Sequence, residues 1–495
     1  MKKIIIIGAG IAGMTAGIYG RLSGLDTEIY EMHSIPGGEC TGWNRGEYHF
    51  DGCIHWLMGC NPKTKLNGMW HDTGVLDEST GVFNHEYFYR VEENGRFLNM
   101  YSDINRLEGH LLELSPEDEV MIRETCKAVR AFRVMEMPVD RPMDMMTKMD
   151  IVKMIFKMLP VMSQMKKYDS MSIDEFSSKF RHPLIRRAFS SVVPGKYRTT
   201  SLLVTLASLD TGDSAWPMGG SLAVSKRMEK RYLSLGGKIF YKARVDKVLV
   251  RDGKAAGIKL TDGREVYGDY VISAADGYST LFDMLDGKYL DEKLKTLYTD
   301  RETYPIYTAV QVSVGVACDL SNQPHALYFK PSRAIDTGGS IHEIMPMRHF
   351  CYDPAMAPEG KSVITSMMAA DFDWWKEKYA DPEAYRREKE RIAEEVCAAI
   401  EERFPEVRGK IEKVDVATPM TYVRYCSAWR GAWMSWMGTP KASVRYLPGN
   451  LPGLSGFYMA GQWTLPPGGL PGAALAGRWV IHRICKAEGL EFKTS

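Results

Sequence analysis

The chain has 495 residues, a length that predicts two or three domains. Hydrophobic residues make up 45% and charged residues 25%, which is typical of a folded globular protein and excludes global disorder. Lys and Arg number 63 and Asp and Glu 62, for a formal net charge of +1. This balance gives no reason to expect a nucleic-acid partner.

Nine cysteines are scattered along the chain without a C-x-x-C pair, and their number is odd. This pattern argues against a disulfide framework or a zinc site, so we expect reduced thiols, no metal and a cytoplasmic location. The apolar run of residues 4–7 is too short for a signal peptide. No uncharged stretch reaches the ~18 residues of a membrane-spanning helix, although a peripheral position at the inner membrane face stays open.

The first thirty residues follow a β–α–β pattern. A β-branched strand over 3–7 precedes Gly8-Ala9-Gly10-Ile11-Ala12-Gly13, then come a helix over Ile11–Ser23 and a strand over Asp26–Glu31. In a G-x-G-x-x-G turn, the first glycine permits the tight turn and the second lets a pyrophosphate approach the backbone. The third lets helix and strand pack closely. The phosphates then lie at the positive end of the helix.

Two further features complete the predicted nucleotide site. Glu31 lies 18 residues after Gly13, close to the ~20 expected of a ribose-binding acid. A carboxylate there accepts hydrogen bonds from a free 2′-hydroxyl and repels a 2′-phosphate, which favours FAD or NAD over NADP. The following pair, Gly37-Gly38, indicates a second close approach of the backbone to the cofactor.

Residues 100–200 are predicted to be mainly helical and carry much of the methionine. Segment Met149–Lys167 mixes apolar side chains with lysines, and Pro160 is expected to kink or split it. Two interpretations stay open. The segment is a cap whose methionines face a core or an apolar ligand, or a basic amphipathic helix in a membrane interface.

The second half of the chain returns to strands. Turns at Asp252-Gly253 and Asp262-Gly263 predict a three-strand meander from Val245 to Val266, and a buried strand runs over Val271–Asp276. The charged helix predicted over Pro382–Phe404 has a solvated face.

The end of the chain is rich in aromatic residues and glycine. Aromatic side chains crowd Asp415–Tyr446, either as core or as a wall against a planar ring or polyene. A strand over Phe457–Gly461 leads through a glycine loop to a helix from Pro471 to Ala487. Backbone N–H groups at that helix N-terminus suit an electron-rich group, such as the N1–C2=O edge of a reduced flavin.

Together these motifs resemble the carotenoid-desaturase (phytoene dehydrogenase) type of FAD-dependent, amine-oxidase-like flavoprotein. Phe50-Asp51-Gly52-Cys53-Ile54-His55-Trp56 resembles the corresponding phrase in retinol saturase and carotenoid isomerase. Four separated motifs occur in the family order along the whole chain. The resemblance implies an α/β fold with a discontinuous Rossmann-like FAD-binding domain and β-meander, a mixed-sheet substrate domain and a helical, Met-rich cap. The expected boundaries are 1–100, 215–285 and 450–495 for the FAD domain, 101–214 for the cap and 286–449 for the substrate domain.

The resemblance also implies cofactor contacts. Val245 matches the position whose backbone usually holds the adenine, and Asp276 ends the strand that rejoins the nucleotide sheet. Gly461 and Gly468–Leu470 match the segment that passes over the flavin. Glu39 departs from the family, in which many members carry Arg directly after the glycine pair. The predicted FAD contacts are Gly8, Gly10, Ile11, Ala12, Gly13, Glu31, Met32, Gly37, Gly38, Glu39, Val245, Asp276, Gly461, Gln462, Gly468, Gly469 and Leu470.

His55 is the side chain predicted to give or take a proton, because an unperturbed pKa of ~6.5 suits either role. A structural or substrate-orienting histidine is the alternative. Arg430 and Tyr425 are candidates for holding a polar head group. The predicted substrate contacts are Trp56, Trp433, Trp436 and Trp463.

The implied reaction passes a hydride between flavin N5 and a carbon–carbon bond of a hydrophobic, isoprenoid or other lipid substrate. Desaturation, saturation and isomerisation all fit. No second G-x-G-x-x-G opens a helix after a strand, so electrons are expected to come from or go to a quinone, oxygen or a partner reductase. The alternatives are an FAD-dependent amine oxidase, a non-catalytic flavin-holding protein at a membrane surface, and an NAD-dependent dehydrogenase.

Overall fold

The computed structural model describes residues 1–444 and 446–494. The strands, numbered in chain order, are β1 Lys3–Ile7, β2 Asp26–Tyr30, β3 Gly42–Arg45, β4 Tyr48–Asp51, β5 Leu57–Met58, β6 Val82–Phe83, β7 Tyr87–Glu93, β8 Arg96–Tyr101, β9 Ser214–Pro217, β10 Lys238–Phe240, β11 Val245–Arg251, β12 Lys254–Leu260, β13 Glu265–Tyr267, β14 Tyr270–Ser273, β15 Ala309–Val316, β16 Ala326–Phe329, β17 Ile335–Asp336, β18 Ile341–His342, β19 Met345–His349, β20 Ser362–Ala369, β21 Ile411–Ala417 and β22 Phe457–Met459. The α-helices are α1 Ile11–Leu22, α2 Lys65–Thr73, α3 Ile104–Leu114, α4 Glu119–Phe132, α5 Lys148–Asp169, α6 Ile173–Ser177, α7 Pro183–Val192, α8 Thr199–Asp210, α9 Gly220–Ser234, α10 Glu292–Thr299, α11 Phe372–Tyr379, α12 Pro382–Arg403, α13 Pro419–Cys426 and α14 Gly469–Glu488.

The first layer is a five-stranded parallel sheet in the order β10-β2-β1-β14-β22. Its central strand β1 is almost entirely buried, as expected for a parallel strand covered on both faces. Helices α1 and α14 pack against each other beside this sheet. The β–α–β unit, the late strand and the final helix therefore assemble as the sequence predicted, although their segments are far apart in the chain.

Glycines set how closely these layers pack. A Cβ added at Gly13 would overlap the Gly8 carbonyl oxygen, so α1 lies tightly on the turn that follows β1. A Cβ added at Gly477 would overlap the Ala12 carbonyl oxygen, so α14 approaches α1 at backbone distance. The third glycine of the motif thus has the packing role expected of it.

The predicted meander is present. Strands β11, β12 and β13 pair antiparallel and are joined by turns with positive φ at Asp252, Gly253 and Gly263. Their buried side chains share one hydrophobic cluster with β1 and with α10. This cluster places Val245, the first residue of the meander, against the five-stranded sheet.

The second layer is a seven-stranded mixed sheet in the order β21-β15-β20-β19-β16-β7-β8. The β7–β8 hairpin corrects one expectation, because the segment 1–100 was assigned wholly to the FAD domain. Leu327 of β16 pairs with Arg90 of β7, which adds residues 87–101 to this sheet. The hairpin buries Val91 and Leu98 and therefore needs a neighbouring sheet. The remaining domain boundaries stay predictions.

The helical cap, α3–α8, is built around its own hydrophobic cluster. Of the expected kink or split at Pro160, the split is wrong, because helix α5 runs without interruption through this residue. Only Val161 and Tyr168 of this helix are buried, and the Phe156 carbonyl that Pro160 leaves without its N–H partner can bind water instead. Within the described residues, no helix combines the length and apolar character needed to cross a bilayer.

Candidate functional site

A cavity of about 1030 Å³ opens where the parallel strands end. Its wall includes Ile7 at the end of β1, Tyr30 at the end of β2 and Ala274 just after β14. Ligands of open α/β sheets bind outside the carboxyl ends of the strands, and this cavity has that position. The predicted cofactor residues that line it are Gly8, Gly10, Ile11, Ala12, Glu31, Met32, Gly37, Gly38, Glu39, Val245, Asp276, Gly461, Gln462, Gly468, Gly469 and Leu470.

Glycine backbone forms one end of the cavity. Gly8, Gly37 and Gly468 have φ of 96°, 117° and 101°, conformations that disfavour other residues. The Gly37 N–H donates a 2.9 Å hydrogen bond to the Ala9 carbonyl, which joins the glycine pair to the first turn. An added Cβ at any of these three would meet protein atoms at 3.3 Å or less, so the fold itself requires glycine there. At Gly10, Gly38 and Gly469, which also line the cavity, an added Cβ has no protein atom closer than 3.6 Å. Bare backbone at these positions leaves the space open to a dinucleotide, so the cradle fits FAD. Gly13 lies behind this surface and does not line it.

Glu31 organises the turn after β1. One carboxylate oxygen accepts a 2.7 Å hydrogen bond from the Ala9 N–H, and the other accepts one of 2.7 Å from the His33 N–H. The side chain is buried but reaches the cavity wall. These contacts hold the carboxylate at the carboxyl end of β2, the position from which an acid binds a ribose hydroxyl in this fold.

Two further carboxyl groups, those of Glu39 and Asp276, lie along the cavity wall. The Gln462 side-chain N–H donates a 3.3 Å hydrogen bond to Glu39, and burial followed by the charge of Asp276 raises the pKa of Glu39 to about 8. Asp276 accepts hydrogen bonds from the N–H groups of Ser279 and Trp429 at 2.9 and 3.1 Å. Burial raises its pKa to about 6. Protonated Glu39 carries no charge against a phosphate, so this departure from the family pattern is compatible with the cofactor.

His55 lies in the cavity wall between two tryptophans. Its ring is 5.4 Å from the ring of Trp433 and 6.4 Å from that of Trp56, measured between centroids. Burial and the positive charge of Arg348 lower the pKa of His55 to about 3, so the imidazole is neutral at physiological pH. The Arg348 guanidinium also donates a 2.7 Å hydrogen bond to the His55 carbonyl. A neutral ring can orient a substrate or accept a proton, but it has no imidazolium proton to donate as a general acid.

The other predicted substrate contacts separate into two groups. Trp56, Trp433 and Trp463 line the cavity. Trp436 does not, and this expectation is corrected: its ring packs edge-on against Tyr298 and Trp463 in the core behind the wall. An aromatic-rich stretch of sequence cannot distinguish a wall from the layer behind it.

The head-group candidates also separate. Tyr425 lines the cavity, whereas Arg430 lies outside it and forms an ion pair with Asp373.

The far end of the cavity is formed by the cap and the second sheet, and sequence reasoning did not name most of these residues. They are apolar or aromatic and come from elements distant in sequence, so no local motif marks them. They are Phe132, Met135, Met137, Met165, Tyr197, Val204, Tyr307, Tyr328, Ile344 and Met367. The methionine content of the cap was the one signal available.

The fold and the cavity define a dinucleotide-dependent oxidoreductase whose cofactor cradle is continuous with an apolar chamber. Residues 11–480 match the family model for flavin containing amine oxidoreductases. The chain belongs to this family and is an FAD-dependent oxidoreductase. The predicted cofactor is therefore confirmed, and the NAD-dependent dehydrogenase and non-catalytic alternatives are wrong.

Characterised relatives extend over nearly the whole chain. The chain is 24% identical to a prolycopene isomerase of Daucus carota, over 99% of this chain and 81% of that protein. It is 25% identical to a neurosporene-forming phytoene desaturase of Rhodobacter capsulatus, over 98% of this chain and 94% of that protein. These similarities confirm the predicted resemblance to carotenoid desaturases.

Solved structures share the fold. An oxidoreductase from Methanosarcina mazei covers 97% of this chain with a TM-score of 0.61 and 18% identity, and the alignment spans 100% of that structure. The cyclohexylamine oxidase of Brevibacterium oxydans covers 99% of each chain with a TM-score of 0.59 and 13% identity. The predicted α/β fold class is confirmed.

Proposed function

We propose that this enzyme desaturates, saturates or isomerises carbon–carbon double bonds of a hydrophobic substrate of the isoprenoid, carotenoid or lipid type. The observation that carries the proposal is the single cavity of about 1030 Å³, with glycine backbone at one end and apolar side chains at the other. A substrate chain can thus lie in the same water-poor space as the cofactor. The names of the prolycopene isomerase and phytoene desaturase relatives support this class.

In this proposal the glycine turns and Glu31 hold the dinucleotide, and Val245 lies beside the adenine. Bound FAD would supply N5 as the hydride donor or acceptor. Trp433 and Trp56 flank the substrate chain, and the aromatic wall excludes water. His55 orients the chain or accepts a proton as a neutral imidazole, which fits its buried position.

We also propose that the substrate enters from a membrane surface over α5. Eight apolar side chains of this helix are exposed, with Phe156 68% exposed. Met165 of the same helix lines the cavity, so the exposed surface and the chamber are adjacent. Amphipathic helices with lysines among their polar residues bind in the membrane interface. Electrons would pass to or from a quinone, oxygen or a reductase.

The decisive experiment is the visible spectrum of the purified protein, followed by anaerobic reduction and readmission of air. We expect a flavin spectrum that bleaches and returns, and turnover of a polyene or unsaturated lipid while His55→Ala keeps its flavin but turns over more slowly. Turnover confined to amines with release of peroxide would favour an amine oxidase instead. A redox-competent flavoprotein that neither oxidises, reduces nor isomerises any polyene or unsaturated lipid would overturn the proposal.

A further inference from the structure

A row of polar residues crosses the second sheet behind His55. Ser313 of β15 pairs directly with Thr365 of β20, and Thr365 pairs directly with Arg348 of β19. Directly paired residues of neighbouring strands point to the same face of a sheet. Arg348 and Thr365 therefore project side by side from one face, where they line a second, smaller cavity of about 80 Å³.

This second cavity adjoins the main chamber. His55, Trp56 and Tyr328 line both, so the two spaces meet at these side chains. The end of a substrate chain in the main chamber can therefore reach the space next to Arg348. The small volume suits a compact polar group rather than a second ring or chain.

The charge around this cavity is unbalanced. Among residues 1–444 and 446–494, no acidic side chain forms an ion pair with the Arg348 guanidinium, which donates a hydrogen bond to the His55 carbonyl. Burial, followed by the charge of Arg348, lowers the pKa of His55 and of His85 to about 3. Burial also lowers the pKa of His325, with smaller contributions from the charges of His85 and Arg348. Burial raises the pKa of Tyr328 and Tyr352, and the charge of Arg348 opposes that rise. A guanidinium held among neutral rings is costly unless an anion joins it.

The one acid in the cavity wall is already engaged elsewhere. Asp51 accepts hydrogen bonds from the N–H groups of Ser221 and Ile54 at 2.6 and 3.2 Å, and from the Ser221 hydroxyl at 2.7 Å. By contrast, the buried Thr365 hydroxyl has no hydrogen-bond partner among the residues that the structure describes. A free hydroxyl beside an Arg without a counter-ion is a donor set for a carboxylate.

We propose that Arg348 and Thr365 bind the carboxylate of a chain-like substrate whose apolar body lies in the main chamber. This inference rests on the proposed function and narrows its substrate class to unsaturated acids. Arg binds a planar carboxylate through two N–H groups, and the Thr365 hydroxyl donates to the same anion. The anion also offsets the positive charge beside His55, so His55 becomes easier to protonate when the acid is bound.

Binding of matched ligands to the FAD-loaded protein tests this assignment without requiring turnover. Oleic acid and oleyl alcohol share one chain and differ in the head group. Trp56 lines both cavities, so tryptophan fluorescence is expected to change when either ligand binds. We expect the acid to bind at least about tenfold tighter than the alcohol, a ratio that one charge-assisted pair supplies. Arg348→Gln should reduce this ratio to near one.

Two further variants keep the test falsifiable. Thr365→Val removes only the hydroxyl and should lower the acid-to-alcohol ratio several-fold, even if Arg348→Gln fails to fold. Arg251→Gln removes a positive charge from exposed β11 and should leave the ratio unchanged. Equal binding of acid and alcohol by the wild type, or an unchanged ratio in a folded Arg348→Gln protein, would overturn the inference.

Two controls distinguish this inference from binding of a free anion and from failure of the proposed function. Acetate or chloride could change the fluorescence of the wild type but not of Arg348→Gln, while displacing neither ligand. That result would show that the site binds a free anion and would contradict its assignment to the substrate. A flavin that bleaches and returns while the head group makes no difference would leave the proposed function standing. A protein that discriminates the acid but has no redox activity would instead count against the proposed function alone.

Discussion

The Gln462 side chain donates a 3.3 Å hydrogen bond to the partly buried carboxyl of Glu39, joining the loop before α14 to the glycine pair after β2. The two loops come from opposite ends of the chain and form facing walls of one cavity. The family resemblance implies Arg at the position of Glu39 in many members, so the protonation of this carboxyl is central to how the site accepts a phosphate-bearing cofactor.

Glu39 predicts a pH dependence of the cofactor-stripped protein. Its pKa in the folded state is about 8, above the ordinary value of a glutamate, chiefly because it is buried. The folded state therefore holds the proton more tightly than the unfolded state, so this group's contribution to stability falls as pH rises toward 8. Glu39→Gln should flatten the decline in melting temperature between pH 5.5 and 8.5. An equally steep decline in the variant would contradict this account.

FAD affinity gives an independent measurement of the same group. If Glu39 must be neutral beside the cofactor phosphates, affinity should weaken above pH 8 in the wild type and stay level in Glu39→Gln. Fluorescence titration of the stripped protein with FAD at several pH values measures this. Glu265→Gln is the control, because Glu265 is exposed on β13 and this change removes a charge away from the cavity. Its pH profile should follow the wild type.

The close approach of α14 to α1 predicts a size limit at one position. Gly477→Ala would press a methyl group into the Ala12 carbonyl, so we expect a loss of about 1–3 kcal/mol in the free energy of unfolding. Gly109→Ala is the matched control, because this helical glycine in α3 has open space around it. That change should be neutral or stabilise by up to about 1 kcal/mol. Urea unfolding of both variants distinguishes them, and equal effects would refute the packing argument.

Trp433 and Trp436 should behave oppositely although only two residues separate them in the chain. Trp436 is 2% exposed in the core, so Trp436→Ala should cost roughly 3–5 kcal/mol in stability. Trp433 lines the cavity beside His55, so Trp433→Ala should weaken ligand binding more than it lowers the melting temperature. Thermal melts and ligand titrations of both proteins provide the measurements. A Trp433→Ala protein with unchanged ligand affinity would remove this residue from the substrate site.

The exposed face of α5 predicts membrane binding. Phe156 and Leu159 are 68% and 55% exposed, and replacing both with Glu adds charge to the surface that would enter the lipid interface. Sedimentation with vesicles of mixed anionic and zwitterionic lipid should fall at least severalfold. Ile341 is 76% exposed on a short strand elsewhere, and Ile341→Glu should bind vesicles like the wild type. Equal loss in both variants would indicate a general charge effect.

The nucleotide half of the molecule was predictable because its rules are local. Gly8, Gly13 and Glu31 are constrained by one β–α–β unit, and the structure places the strands and helix within one or two residues of the predicted bounds. The meander was equally accessible, since two turns with Asp-Gly fix its hairpins. Short-range chemistry determines each of these elements.

The substrate half depended on long-range pairing, which composition does not reveal. Residues 87–101 were placed in the wrong layer because nothing in the hairpin itself specifies that β7 pairs with β16. The sequence does not indicate a site at Arg348, because its partner across the sheet, Thr365, is 17 residues further on and lies on another strand. The exposure of α5 was likewise open, because an apolar helix looks the same whether protein or lipid covers it.

The discontinuity of the parallel sheet has a consequence for biosynthesis. Strands β1 and β2 are synthesised long before β22 and the glycine loop that precedes α14, although all of them contribute to one sheet and one cavity. The cofactor cradle therefore cannot be complete on the nascent chain until residues 457–470 have left the ribosome. Until then, the edge of β14 that later pairs with β22 stays open to wrong partners.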